Sequence, residues 1–334
     1  MIDPVLSVVA FGIGIVVGLT GMGGGALMTP VLVLFFSVPP LTAVSSDLVA
    51  SAVMKPVGSF VHLRRGTVDL RLVRWLALGS VPAAFSGVLL MRALGDGQAV
   101  EDAVQTALGV ALLLAASGLA AKAYLRLLER ARRRSAGAAD RQTPRGPNGL
   151  PLVTVKPLRT VLIGVVGGLV VGMTSVGSGS LMIVALLVLY PRLTGSQLVG
   201  TDLLQAVPLV FAAAFGHLLF GDFQLDVTTS LLLGSVPGVW VGAQLSSRAP
   251  GGLIRRALAF VLLASGLKLL DVSNTATVAI LGVTLVAGPL LWMLARRRLG
   301  LPALAPRSTR SVTRASIQAG RSVRSGEPVT EPGS

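Results

Sequence analysis

The sequence predicts an all-α, polytopic integral membrane protein of two inverted-topology repeats with interrupted or re-entrant helices. Three observations carry that reading: the composition, the spacing of the apolar runs, and a self-match at a fixed offset. Of 334 residues, 52% are hydrophobic and 13% charged, with a mean hydropathy of +0.78. A soluble domain carries about 25% charged residues, so this chain lacks the charge of a water-facing surface. The net charge of +15 is confined to two segments. Residues 122–159 hold ten basic and two acidic side chains, residues 296–334 hold eight and two, and the rest of the chain has eleven against ten. An almost neutral apolar body therefore carries two basic polar segments. Zero cysteines exclude disulfides, thiolate metal sites and Cys nucleophiles, and two histidines do not make a histidine-rich metal centre. No cofactor and no metal are expected. Asp3 and the lack of a positive n-region argue against a cleaved signal peptide.

A spanning helix takes about 20 apolar residues. In chain order, two short runs come first, near 5–19 and 26–37, split by Gly21-Met22-Gly23-Gly24-Gly25. Full-length runs follow near 41–63, 70–94 and 99–119. After the basic segment comes a second short pair, 158–171 and 180–190, split by Met173-Thr174-Ser175-Val176-Gly177-Ser178-Gly179. Full-length runs near 195–219, 225–245, 253–270 and 275–295 complete the body. Each short pair is either two thin spans or a hairpin entering and leaving from one side. The chain thus divides into a first transmembrane repeat (1–121), a basic cytoplasmic linker (122–157), a second repeat with an extra C-terminal helix (158–295) and a disordered basic cytoplasmic tail (296–334).

The second half repeats the first. At an offset of 154, Gly18, Thr20, Gly23, Gly25, Leu27 and Met28 fall on Gly172, Thr174, Gly177, Gly179, Leu181 and Met182. At an offset of 155, Asp47 falls on Asp202, His62 on His217, and Gly79-Ser80-Val81-Pro82 on Gly234-Ser235-Val236-Pro237. Shared Leu and Gly are weak evidence in so apolar a chain; a shared Asp, His and whole tetrad in one register are strong evidence. Loop charge sets orientation, because Lys and Arg stay cytoplasmic. Arg64, Arg65, Arg71 and Arg74 place the 63–70 turn inside, whereas its counterpart at 221–226 has Asp222 and Asp226 and no Lys or Arg. Equivalent loops then lie on opposite faces, with the N-terminus outside and the C-terminus inside the cytoplasmic membrane. Inverted repeats with broken helices at matching positions are a feature of secondary transporters.

The stretch Gly18-Leu19-Thr20-Gly21-Met22-Gly23-Gly24-Gly25, followed by Leu27 and Pro30, resembles the signature of the sulfite exporter TauE/SafE family. The duplicate at 172–181 and the repeat over about residues 5–295 fit the same family. Ser175, Ser178 and Val184 depart from the pattern of the first copy, where Gly21, Gly24 and Pro30 stand. The resemblance implies a transporter in the cytoplasmic membrane that exports sulfur oxyanions or organosulfonates.

The glycine breaks suit such an anion physically. A helix starting inside the membrane presents unpaired N–H groups with partial positive charge, and glycine lets an anion approach them. Candidate substrate-binding residues are Thr20, Gly21, Gly23, Gly24, Gly25, Lys55, Thr174, Ser175, Gly177, Ser178 and Gly179; the alternative for the glycines is close helix packing. Lys55 is about 12 Å from the inner end of its helix at helical rise and either contacts the anion or snorkels to the interface. Asp47 and Asp202, expected near opposite faces, are either helix N-caps or coupling and gating groups. His62 and His217 end matching helices, in structural or gating roles. Pro82 and Pro237 mark flexing points or rigid kinks, with Ser80 and Ser235 satisfying the freed backbone.

The expected function is a secondary transporter exporting small anions, binding them at the glycine-rich breaks near the midplane. The alternatives are an anion channel or a proton-coupled transporter of another small anion. An integral-membrane enzyme would need convergent ionisable groups, and Asp47, Asp202 and the histidines read as dispersed. Anion export runs down the membrane potential by about 2.3 kcal/mol per charge per 100 mV, so with no carboxylate relay legible the expected mechanism is potential-driven uniport. Expected partners are a small anionic substrate and anionic lipid headgroups at linker and tail, with no nucleic acid.

Overall fold

The computed structural model describes residues 2–20, 24–64, 66–95, 97–135, 153–191, 193–220, 223–245 and 251–299, and every regular element among them is an α-helix. The two broken pairs are α1 (Pro4–Thr20) with α2 (Gly25–Phe35), and α6 (Pro157–Thr174) with α7 (Leu181–Leu189). At helical rise α2 and α7 are about 16 and 13 Å long, half of the roughly 30 Å hydrocarbon core. Neither crosses a bilayer alone. The first half continues through α3 (Pro40–Arg64), α4 (Leu70–Ala93) and α5 (Gln98–Ser135). The second continues through α8 (Gly195–Phe220), α9 (Leu225–Leu245), α10 (Gly251–Leu269) and α11 (Asn274–Arg298). Among the described residues, six helices, α4, α6 and α8 among them, are long and apolar enough to cross a membrane.

Local chemistry starts several of these helices. Asp3 accepts from the backbone N–H of Val5 and Leu6 at the head of α1. Asp69 does the same for Arg71 and Leu72 at the head of α4, a side-chain cap for otherwise orphaned amides. α5 does not stop where its apolar run ends. It continues to Ser135 with Lys122 and Leu127 buried, so the start of the segment read as a basic cytoplasmic linker is helical. Residues 136–152 of that linker and 300–334 of the tail lie outside the described residues.

The strongest helix pairings join one half of the chain to the other. α1 packs on α9, α6 on α4, α3 on α8 and α5 on α10. Glycines allow the first two to approach to backbone contact. A Cβ on Gly168 of α6 would stand 2.4 Å from the carbonyl oxygen of Ser80 in α4, and one on the matching Gly14 of α1 2.6 Å from that of Ser235 in α9. Likewise Gly79 meets Val161, and the matching Gly234 meets Ser7. Matching positions therefore make matching contacts, and the Gly-Ser-Val-Pro tetrads are their contact points. Pro82 and Pro237 point outward and are exposed. The Ser80 hydroxyl donates to Gln205 Oε1 at 3.2 Å rather than to its own helix, which corrects the role expected for it.

Residues Met1–Leu285 form one compact unit. Its outer surface is apolar, with Leu78, Val166, Trp240 and Leu285 all more than half exposed. Such a surface is the interior of a soluble protein turned outward, and it is what a lipid environment requires. The second unit, Val286–Ser334, is described as far as Leu299. It comprises the end of α11, where Leu290, Leu291 and Leu294 are exposed and Arg296–Arg298 close the last turn.

Candidate functional site

α3 carries polar side chains at a four-residue interval, Asp47, Ser51, Lys55 and Ser59, all of them buried. Residues four apart lie on one helical face, so these form a stripe along α3. α8 packs on that helix in the opposite direction: Ser45, near the start of α3, meets His217 at the end of α8, and Gly200, near the start of α8, lies beside His62 at the end of α3. From this register Asp47 and Asp202 stand about 20 Å apart along the pair, with Lys55 between them and closer to Asp202. Lys55 interacts electrostatically with both carboxylates, more strongly with Asp202, and Asp202 interacts further with Lys122 of α5. Asp47 and Asp202 are 0% and 1% exposed, Lys55 and Lys122 each 6%.

The expectation for these groups is corrected in two ways. Neither aspartate caps a helix: each follows a full two turns of helix, α3 starting at Pro40 and α8 at Gly195. Nor are the ionisable groups dispersed. They line one buried seam, on opposite sides of its middle, because the antiparallel packing of α3 and α8 threads Lys55 between them.

Both broken helices end on this seam. α6 terminates at Ser175, a left-handed residue with φ 57°, and Gly177 and Gly179 at φ 125° and 109° carry the chain to α7. All of residues 175–180 are buried. Ser175 donates a short hydrogen bond to Asp47 Oδ2, which Thr29 of α2 also approaches at 3.4 Å. Lys55 Nζ donates to Ser178 Oγ at 2.7 Å. The first break arrives at the same place. A Cβ on Gly25 would lie 2.2 Å from the Ser175 carbonyl oxygen, and one on Gly24 3.7 Å from Asp47 Oδ1. Gly24 and Ser180 precede the first turns of α2 and α7, and neither helix has a side-chain cap. Among the described residues neither helix head has the side-chain partner that Asp3 and Asp69 give elsewhere; the Leu27 and Met28 amides turn back to the Gly24 carbonyl, and those of Leu181 and Met182 to the Gly177 carbonyl.

Of the expected anion-binding residues, Gly24, Gly25, Lys55, Ser175 and Ser178 meet here, with Gly177 and Gly179 shaping the turn. Gly21 and Gly23 lie outside the described residues. Thr20 and Thr174 instead donate to carbonyls one turn back in their own helices, those of Val16 and Val170. Sequence reasoning did not single out Thr29, Ser46, Ser51, Gln205 or Lys122. Gln205 Nε2 donates to Asp202 Oδ1 at 3.3 Å, while Asp47 Oδ1, Ser46 Oγ and Ser51 Oγ are buried with no hydrogen-bond partner.

The two histidines differ. His217 is 0% exposed; its Nε2 donates to the Gly172 carbonyl at 2.8 Å, and its Nδ1 faces Ser45 Oγ at 2.8 Å. The carbonyl can only accept, which fixes the proton on Nε2. The ring joins α8 to α3 and α6 from within the body, not at a watery helix end. His62 is half-buried, with Nδ1 3.0 Å from Thr67 Oγ1.

Apolar spans enclosing broken helices that meet beside buried charges define a multi-pass membrane transporter. A model of the family Sulfite exporter TauE/SafE matches residues 6–269, and the chain belongs to that family. It is 37% identical over 261 residues to "Probable membrane transporter protein YjnA" of Bacillus subtilis (strain 168), covering 77% of this chain and 96% of that protein. It is 24% identical over 262 residues to "Probable membrane transporter protein YdhB" of the same organism, covering 78% and 98%. No solved structure matches.

Proposed function

We propose that this protein is a secondary transporter, not an enzyme, that exports a small sulfur oxyanion or organosulfonate across the cytoplasmic membrane. The observation that carries the reading is the meeting of two uncapped, buried helix N-termini beside Lys55. The partial positive charge at these two helix N-termini attracts an anion. Lys55 adds a full charge, and the Ser175 and Ser178 hydroxyls add donors that can turn from Asp47 and Lys55 toward a ligand. Tetrahedral or pyramidal sulfur oxyanions accept in several directions at once, which matches donors arriving from α2, α3 and the 175–180 turn.

The antiparallel packing of α3 on α8 supports inverted repeats, since equivalent helices then run in opposite directions through the membrane. With the loop charges, this gives an external N-terminus, a cytoplasmic C-terminus, and basic linker and tail segments against anionic headgroups. Such an arrangement allows the seam to open to either face around a fixed site. Uptake of sulfite, sulfoacetate, taurine and thiosulfate into inside-out vesicles tests the reading. Accumulation of at least one of them, absent from vesicles lacking the protein, is expected; indifference to all four would refute the substrate class.

A further inference from the structure

We infer that Asp47 is a stand-in anion for the empty site and that substrate binding requires it to take up a proton, so that one proton travels with each anion. The inference rests on the anion-site reading above and adds the coupling ion to it.

The position of Asp47 carries the argument. Its carboxylate lies beside Gly24 at the head of α2 and accepts from Ser175 at the tail of α6, the same donors proposed for the substrate. A free anion arriving while Asp47 is ionised would put two negative charges at one pair of helix termini in a dry interior, where like charges strongly disfavour each other. The two oxygens of Asp47 also differ. Oδ2 takes the hydroxyls of Ser175 and Thr29, whereas Oδ1 has no partner and Ser51 Oγ, one turn away, has none either. An ionised carboxylate held in a dry interior with one oxygen unpartnered is costly, and a proton on Oδ1 removes that charge. Protonation also releases the Ser175 hydroxyl for the arriving anion. The proton enters from water on one side and returns to water on the other, with no other bond made or broken.

Asp202 is not equivalent. It has the Gln205 amide and two lysines, Lys55 and Lys122, acting on it, whereas among the described residues the charged group acting on Asp47 is Lys55. From α2 and the 175–180 turn, Asp47 takes the Thr29 and Ser175 hydroxyls and lies beside Gly24, while His217 of α8 faces Ser45. Asp202 is the fixed counter-ion of Lys55, and Asp47 carries the proton.

This replaces potential-driven uniport. Its premise was the lack of a legible carboxylate relay, with both aspartates near helix ends, and they are instead buried within α3 and α8 on either side of Lys55. A monovalent anion moving with one proton is electroneutral, so its export follows its own accumulation and the pH difference.

The test is calorimetric titration of the purified full-length protein with methanesulfonate, which stays ionised throughout, in two buffers of different ionisation enthalpy. The wild type should take up about one proton per anion, with affinity falling about tenfold per pH unit above the Asp47 titration. Asp202→Asn should keep that uptake. Asp47→Asn, or Asp47→Ser if the amide folds poorly, should bind with no proton uptake and no pH dependence. Anion binding by the wild type without proton uptake, uptake lost in Asp202→Asn but kept in Asp47→Asn, or strengthening by sodium at fixed pH would each overturn the inference while leaving the anion site intact. Failure of methanesulfonate, sulfite and sulfoacetate to bind between about pH 5 and 8 would instead overturn the anion site itself.

Discussion

Lys55 of α3 donates to Ser178 in the break between α6 and α7, at 2.7 Å, and so ties the middle of one half of the chain to the interrupted helix of the other. Lys55 therefore reads as part of the site and not as a snorkelling residue. Its ammonium is committed to the interior, where leaving it unpaired would be costly. Lys55→Gln should fold, because the amide can still reach Ser178, yet bind anion at least tenfold more weakly, the loss of one charge-assisted bond of about 1.5–3 kcal/mol. Unchanged affinity in a titration of the purified variant would restore the snorkelling reading.

Gly24 allows a milder test of the helix termini than the glycines of the second break. Valine at Gly177, where φ is 125°, would be strained whatever bound nearby. A methyl at Gly24 meets Met54 Cε at 3.2 Å, the end of a flexible side chain, and then Asp47 Oδ1. Gly24→Ala should keep near-normal thermal stability and weaken anion binding, by occupying the approach to the α2 amides. Normal binding with lowered stability would favour packing as the sole role of this glycine.

The crossing glycines should behave as matched pairs. Gly79→Ala and Gly234→Ala would press a methyl to 2.3 and 2.0 Å from carbonyl oxygens of the facing helices, and overpacking of this kind costs about 1–3 kcal/mol. Gly12→Ala, with nothing within 4 Å, should be neutral or slightly stabilising through helix propensity. Thermal unfolding in detergent checks all three; equal melting temperatures would contradict the close approach of α1 to α9 and α4 to α6.

His217→Ala should lower stability by about 1–3 kcal/mol, because it leaves the Gly172 carbonyl and Ser45 hydroxyl with a buried partner missing. His62→Ala should cost less, since its ring is half-buried. A larger loss for His62 would reverse the assignment.

Inverted topology is tested at the turns. Arg71→Cys and Asp226→Cys occupy matching, exposed positions in a chain with no other cysteine. An impermeant thiol reagent added to whole cells should reach position 226 alone. Labelling of both sites would place the two turns on one face.

Much of this was legible in the sequence because it depends on local pattern. The apolar runs, the glycine breaks and the matching Asp, His and tetrads each announce themselves within a few residues. The four-residue stripe Asp47, Ser51, Lys55 and Ser59 is also present in the sequence, but its two serines carry no charge to mark a face, and nothing local shows that the face is buried. What the sequence withheld depends on which helices meet. Nothing near Gly168 indicates that Ser80 faces it, and nothing near His217 indicates Ser45 or Gly172. The burial of Asp47 and Asp202 follows from the crossing of the two halves, which a linear self-match does not contain. The half-helices were ambiguous for a related reason: a short apolar run does not show whether it crosses the membrane or turns back within it.

The central claim is that an anion sits where α2, α3 and the 175–180 turn converge. Equilibrium binding of radiolabelled sulfite to the purified protein tests it most directly, with wild type, Lys55→Gln and Gly24→Ala compared at one mildly acidic pH. Saturable binding by the wild type, weakened in both variants while their melting temperatures hold, is the predicted result. Equal binding by all three proteins would contradict the site.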